Sequence, residues 1–313
     1  MTKLSLVGDI GGTNSRFGLV EQGSMLVRDV EAQKNDNFPS LEASAAHYLK
    51  ARGVTALHAA AIAVAAPVDR EVITLTNRDW SFSAASLKAA TNAQSFRLLN
   101  DFEALAYSLP HIAENDLVQI GGQISETPQV KIVLGPGTGL GMSVLAPTKP
   151  KGWMALPCEP GHLTLPIETQ AEYDWRDLMR EQDEVFTAEQ AISGGGLYLM
   201  YKTIAPTGKL ETPEAVMQAA LAGHDADAVK VLDQFIVWLA RIAGDAAMML
   251  QARGGVYLAG GIAPTLVDQL KRGKFRSVFE NKGKMSHVMT PIPIYIITDK
   301  FPAFKGCAAA LPA

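Results

Sequence analysis

The chain carries one local pattern at two distant places, and any fold must accommodate both. In LVGDIGGTNSRFGLV, residues 6–20, an apolar run reaches Asp9, breaks into Gly11-Gly12-Thr13-Asn14, and resumes as a second apolar run. From Lys131, KIVLGPGTGLGMSVLAPTKPKGWMALP again reads as strand, glycine-rich turn, strand, connection and strand. The residues of the two copies match poorly, so what recurs is architecture. A third strand enters a double glycine at GGVYLAGGIAP, Gly260-Gly261. Gly-Gly between strand-like runs is a common hairpin signal. It is also a way to bring backbone N–H groups close to a phosphate, and the turn alone leaves both readings open.

The segments around these turns define an α/β chain. After the first hairpin, SMLVRDV reads as a third strand, Leu41 to Leu49 as a helix, and AAAIAVAAPV as a buried strand. SFSAASLKAAT reads as a serine-capped helix, and FRLLND as a short strand running into the helix FEALAYSL. A meander followed by crossover units predicts a mixed sheet with helices against it. Glu114 to Val130 is polar and bears Gly and Pro, which marks a domain boundary. The expected domains are 1–110 with 300–313, the tail FPAFKGCAAALP forming a last helix that packs back on the first domain, and 111–299.

Composition narrows the function. With 28 Lys+Arg against 32 Asp+Glu and no Lys/Arg run longer than two residues, the chain has no basic field for nucleic acid. The 2 cysteines, Cys158 and Cys307, make neither a disulfide framework nor a CxxC zinc site, which fits a reducing compartment. The opening MTKLSLVGDIGG is too short for a signal-peptide core, and FIVWLARIAGDAAMMLQ, interrupted by Arg241 and Asp245, reads as a buried helix and not as a membrane span. A cytoplasmic protein is expected.

Two familiar phosphate devices are excluded. Neither turn has the Lys-Ser/Thr pair of a P-loop, and the glycines at 135, 137, 139 and 141 lack the dinucleotide-fold spacing and precede a strand instead of a helix. What remains is a device built from hairpin turns whose N–H groups bracket the phosphates, with hydroxyls from Thr13 and Thr138.

LVGDIGGTNSR, LLNDFEAL, LGPGTGLG, PCEPGH, TAEQAISGGG and LAGGIAP, in this order over essentially the whole chain, resemble the bacterial glucokinase family. The resemblance implies a duplicated actin-like, ribonuclease-H-like fold of two domains with mixed sheets and an interdomain cleft. It implies ATP as phosphoryl donor, with Gly8, Asp9, Ile10, Gly11, Gly12 and Thr13 as the first phosphate segment, Gly137, Thr138 and Gly139 as the second, and Gly260 and Gly261 in the adenosine site. Asp9 is the candidate for Mg²⁺, held through water, because magnesium binds few protein carboxylates; the plain alternative is a turn-entry aspartate.

NDFE reads by itself as a helix start, with Asn100 as N-cap and Glu103 three residues on. The resemblance implies that Asp101 is also the catalytic base and that Asn100 touches the sugar. It likewise assigns Glu159, His162 and Glu189 to glucose, although a lone histidine such as His162 is more often structural. Pro160 departs from the glycine usual in the family, fixing φ and removing an N–H in that loop. TNRDW looks like a further family segment, but a tryptophan such as Trp80 at a loop end is usually packing, and Asn77 stays unassigned. No zinc is expected, because the cysteine-rich motif of repressor-type sugar kinases is missing. The expected activity is phosphoryl transfer from ATP to the 6-hydroxyl of glucose, by a homodimer. The alternatives are a kinase for another hexose or amino sugar, or a non-catalytic sugar-sensing regulator.

Overall fold

The computed structural model describes residues 3–75, 78–150, 152–180 and 185–312. In chain order the elements are β1 (Leu4–Ile10), β2 (Asn14–Glu21), β3 (Arg28–Lys34), α1 (Leu41–Ala51), β4 (Leu57–Val64), the short β5 (Ile73–Thr74) and β6 (Ser81–Phe82), α2 (Ala84–Thr91), β7 (Ala93–Asn100) and α3 (Asp101–Ser108). There follow β8 (Leu117–Gln119), β9 (Lys131–Pro136), β10 (Leu140–Thr148), β11 (Gly152–Cys158), α4 (Gln170–Met179), α5 (Ala188–Ala191), α6 (Gly194–Ile204), α7 (Pro213–Ala222) and α8 (Ala226–Leu250). The chain continues through β12 (Gly255–Leu258), α9 (Val267–Lys271), α10 (Lys274–Glu280), α11 (Ser286–Met289), β13 (Ile294–Ile297) and α12 (Pro302–Ala309). Two compact units form: Met1–Glu114 with Trp153–Pro157 and Asp299–Ala313, and Asn115–Gly152 with Cys158–Thr298.

In the first unit the sheet runs β3-β2-β1-β4-β7. β1 pairs antiparallel with β2 and parallel with β4, and β4 parallel with β7. In the second, β9 pairs antiparallel with β10 and parallel with β12, β12 parallel with β13, and β8 closes the edge antiparallel. The repeat read from the sequence is therefore a repeated topology: a hairpin, then two parallel strands reached through helical crossovers, in an α/β fold with mixed sheets.

Both faces of the first sheet are covered. Leu6, Phe17, Ile62 and Val64 pack with Leu41, Tyr48 and Leu87 of α1 and α2 on one side. On the other, Val7, Ala61, Ala63 and Leu99 pack with Ala104 of α3 and Ala303, Phe304 and Cys307 of α12. α12 meets α3 closely because Gly306 has no side chain; a Cβ there would lie 1.7 Å from the Ala104 carbonyl oxygen. The buried Cys307 thiol donates to the Gly8 carbonyl at 3.3 Å. Trp80 is buried in the α1–α2 layer with the Arg78 guanidinium 4.7 Å above its ring, so it packs. Asn77 lies outside the described residues.

One expected strand is shifted. β3 starts at Arg28 because the Ser24 N–H donates to Glu21, the Leu26 N–H donates to the Ser24 hydroxyl, and the β2–β3 register slips between Phe17 and Leu19. The hairpin turn thus consumes the residues that read as strand. In SFSAASLKAAT the helix begins only at Ala84, capped by Ser83, whose hydroxyl accepts from the Ser86 N–H; Ser81 and Phe82 form β6.

The second unit is organised on α8, whose middle turns are buried among α6, α7 and α10. Among the described residues no helix is long and apolar enough to cross a membrane. Arg241 in α8 instead reaches Glu172, in the first turn of α4, through two bonds of 2.6 and 3.0 Å, and also bonds the Pro166 carbonyl. Glu172 takes further bonds from Gln234 and from the Glu168 and Thr169 N–H groups. Burial pushes the Glu172 carboxyl up, but the Arg241 guanidinium and the backbone donors prevail and hold it below the usual carboxylate range.

This pair sets a pH dependence. A folded pKa below the unfolded 4.5 contributes stability that is present above that value and is lost as pH falls through the folded pKa. Glu172→Gln leaves the buried Arg241 guanidinium with only the exposed Glu168, 3.1 Å away, as a carboxylate partner, and should lower stability at pH 7 by about 2 kcal/mol. Urea titrations of wild type and variant should show this deficit narrowing below pH 4.5. A deficit that does not change with pH would place the loss outside the ion pair.

Candidate functional site

The first glycine turn closes the β1–β2 hairpin, with the Gly11 N–H on the Asn14 carbonyl at 3.0 Å. Gly8 and Ile10 are buried in β1, and Asp9 lies half-buried between them. Burial pushes the Asp9 carboxyl above its usual range, against the pull of Arg16 3.3 Å away. Gly11, Gly12 and Thr13 form an open tip, Thr13 exposed. Beneath the tip sits Asn35, fully buried. Its amide donates to the Gly11 and Gly12 carbonyls at 2.9 and 3.0 Å, and its own N–H donates to the Thr13 carbonyl at 2.9 Å. The Ser15 hydroxyl donates to Asn35 Oδ1 at 2.7 Å. The sequence reading missed Asn35, which sits 24 residues from Gly11 in a polar stretch.

At the end of β7, Asn100 caps α3. Its Oδ1 accepts from the Phe102 and Glu103 N–H groups at 3.0 and 3.4 Å, and its Nδ2 donates to the Ala66 carbonyl at 3.2 Å. The cap expected from NDFE is present, and among the described residues Nδ2 makes no bond besides that to Ala66, so one of its hydrogens is left beyond the cap. Asp101 is the first residue of α3, where negative charge is favoured, and its Oδ1 accepts from the Phe102 N–H at 2.9 Å. Glu103 and Tyr107 share Arg97, each at 3.0 Å, which ties the first turns of the helix to β7. Asn100 and Asp101 are thus fixed at a strand-to-helix junction.

In the second unit two of the glycine turns meet. The tip Gly137-Thr138-Gly139 joins β9 to β10, with Thr138 exposed. The Ala259 N–H donates to Leu134 and the Ile262 N–H to Pro136, so the Gly260-Gly261 turn lies directly beside β9. Gly260 has φ +80°, and a Cβ there would lie 2.8 Å from the Pro136 carbonyl oxygen. The same tip receives a helix start that the sequence reading left out: Ser193 caps α6 through the Gly196 N–H, and the Gly194 N–H donates to the Gly137 carbonyl at 2.9 Å.

Glu189, on α5, stands between that tip and the turn bearing Glu159 and His162. Its Oε2 accepts from the Leu140 N–H at 2.8 Å. A Cβ on Gly139 would lie 2.3 Å from this oxygen, and one on Gly161 2.8 Å from it. α5 is held on the Pro160–His162 turn by the Ala188 N–H, which donates to the Leu163 carbonyl at 2.8 Å. Glu159 and His162 are exposed. Pro160 is the first residue of this short 3₁₀ turn, where a helical N–H has no internal partner, so the proline removes nothing the turn uses. Glu159, His162 and Glu189 are therefore brought together, with the second glycine tip beside them.

Asp9 is a hard oxygen donor at the base of a glycine turn. Among the described residues no group of three or more His, Cys, Asp or Glu could hold a metal by itself. A metal here would take one carboxylate, with water and substrate oxygens completing its shell, which suits magnesium.

The model of the family described as glucokinase matches residues 6–313. A glucokinase of Marinobacter nauticus is 36% identical over 98% of this chain and 97% of its own length. One of Neisseria gonorrhoeae is 37% identical over 98% of this chain and 94% of its own. The crystal structure of a glucokinase from an Antarctic psychrotroph superposes with a TM-score of 0.88 at 30% identity, covering 99% of both chains. With the repeated hairpin-and-crossover sheets already described, these matches give the chain the duplicated actin-like ATPase fold, and it belongs to the glucokinase family.

Proposed function

We propose that this chain transfers the γ-phosphoryl group of ATP to the 6-hydroxyl of glucose, giving glucose 6-phosphate and ADP. Besides family membership, one observation carries the reading. A single carboxylate, Glu189, accepts from the second glycine turn at Leu140 and packs on Gly161 of the Glu159–His162 turn. A phosphate-type turn and a cluster suited to sugar hydroxyls thus share a residue.

In this reading Glu159, His162 and the outer oxygen of Glu189 bind sugar hydroxyls, since carboxylates and imidazole serve two adjacent hydroxyls well. Asn100 offers its remaining amide hydrogen to the sugar. Asp101 accepts the proton of the attacking 6-hydroxyl, held for this by the start of α3. Within Gly8 to Thr13 the N–H groups of Gly12 and Thr13, and within Gly137 to Gly139 those of Thr138 and Gly139, serve as the backbone donors to the phosphates, with Thr13 and Thr138 adding hydroxyls, while Gly260 and Gly261 border the adenosine. Asp9 would hold Mg²⁺ through water; bound there, the ion neutralises phosphate charge. The family resemblance further suggests a homodimer, and two cysteines present as thiols suit the cytoplasm.

A coupled assay of ADP release across glucose, mannose, fructose and N-acetylglucosamine tests the assignment; glucose should give the highest kcat/KM. A higher value on another sugar would transfer the assignment to that substrate, and no release on any sugar would leave a sensor. Asp101→Asn separates a base from a cap. It should stay folded and bind glucose in calorimetry, and turnover should fall about 10² to 10⁴-fold. A variant keeping more than about a tenth of its turnover would remove Asp101 from that role.

Gly139→Ala tests Glu189. The added Cβ meets only the mobile end of that side chain, so the fold should persist while the carboxylate leaves the Leu140 N–H. Glucose affinity, measured without nucleotide, should weaken about tenfold, ~1.4 kcal/mol. An unchanged affinity would show that the outer cluster binds sugar without this bridge.

A further inference from the structure

We propose that Asn35 is a positioning residue for nucleotide phosphate, acting by fixing which way the peptide groups of the first glycine turn face; this rests on the reading that the turn binds phosphate. In a trans peptide the carbonyl and the following N–H point in opposite directions. The Gly11 carbonyl shares its peptide with the Gly12 N–H, and the Gly12 carbonyl shares its own with the Thr13 N–H. Asn35 Nδ2 holds both carbonyls, at 2.9 and 3.0 Å, from the buried side of the turn. Both N–H groups are therefore turned away from Asn35, toward the open tip. Among the described residues neither of them donates to a protein acceptor.

The asparagine is itself held in one orientation. The Ser15 hydroxyl donates to its Oδ1 at 2.7 Å, which leaves Nδ2 toward the carbonyls, and its backbone N–H fixes the Thr13 carbonyl. Three successive carbonyls of the turn, from Gly11 to Thr13, thus converge on one residue that has no exposed surface. An amide is needed for this. An aspartate would set an acceptor against two acceptors, and an aliphatic side chain would leave two carbonyls without donors. Glycine supplies the freedom to present donors, and Asn35 removes the freedom to present them wrongly, so the phosphates meet a preorganised turn.

The test is a split between the two substrates. In steady-state kinetics Asn35→Ala should raise the KM for ATP at least tenfold while the glucose KM stays within twofold. Calorimetry with the magnesium complex of AMPPNP should show the same loss, and glucose binding without nucleotide should be unchanged. Loss of stability alone, with nucleotide affinity within twofold of wild type, overturns the proposal, because a merely structural asparagine would move the melting temperature and nothing else. Should Asn35→Ala fail to fold, Ser15→Ala keeps both Nδ2 bonds available but frees the amide to rotate; it should weaken AMPPNP binding about threefold with glucose binding intact, and equal losses for both substrates overturn the proposal. Wild-type protein that bound no AMPPNP would instead refute the phosphate reading of the turn, independently of Asn35.

Discussion

A hairpin turn that binds a ligand through its backbone must satisfy its carbonyls inward while leaving its N–H groups unspent. In an ordinary hairpin the turn's polar groups face each other or water, and nothing orients them further. Here both glycine hairpins are backed by donors from elsewhere in the chain. The first has Asn35 beneath Gly11 and Gly12. In the second, Gly194 donates to Gly137 and Ile262 to Pro136, from the start of α6 and from the third glycine turn. The strand order follows from the same need, since a hairpin laid beside parallel strands delivers its turn to the edge where those strands end. Val64 and Asn100 stand opposite each other at that edge in the first sheet, and Leu134 and Leu258 do so in the second.

Much of this was legible in the sequence because it is local. Alternation and glycine placement mark the hairpins, and Asn100 marks a strand ending directly in a helix. Ser83 marks the cap of α2. The pieces that were not legible are contacts between distant residues. Asn35 lies in the polar stretch KNDN, and its meaning appears only when β3 carries it beside the β1–β2 turn. Arg241 is visible as a charge inside an apolar helix, but its partner Glu172 lies 69 residues earlier. The start of β3 is not legible, because a serine turn and a register slip use side-chain bonds and strand pairing that hydrophobic pattern does not encode.

The candidate site residues divide along the same line. Asp101 and Asn100 sit in a motif that has a complete structural explanation as a helix start, and the structure supplies that explanation in full. Only the resemblance to a family distinguishes a base from a cap there. Glu189 differs: its bond to Leu140 and its packing against two glycines exceed what closing a four-residue helix requires. Pro160, a departure from the family pattern, turns out to occupy a place in its turn where a missing N–H is harmless.

The seating of α12 has a consequence for synthesis on the ribosome. The sheet face formed by Val7, Ala61 and Leu99 is covered in part by residues 303–308, so the earliest strands made must wait for a helix that emerges roughly 200 residues after the last of them. All of the second unit, residues 115–152 and 158–298, is translated during that wait. The first unit is therefore completed last although it begins first. Its sheet, with that face covered only by α3 until α12 arrives, exposes apolar surface for as long as the second unit takes to be made.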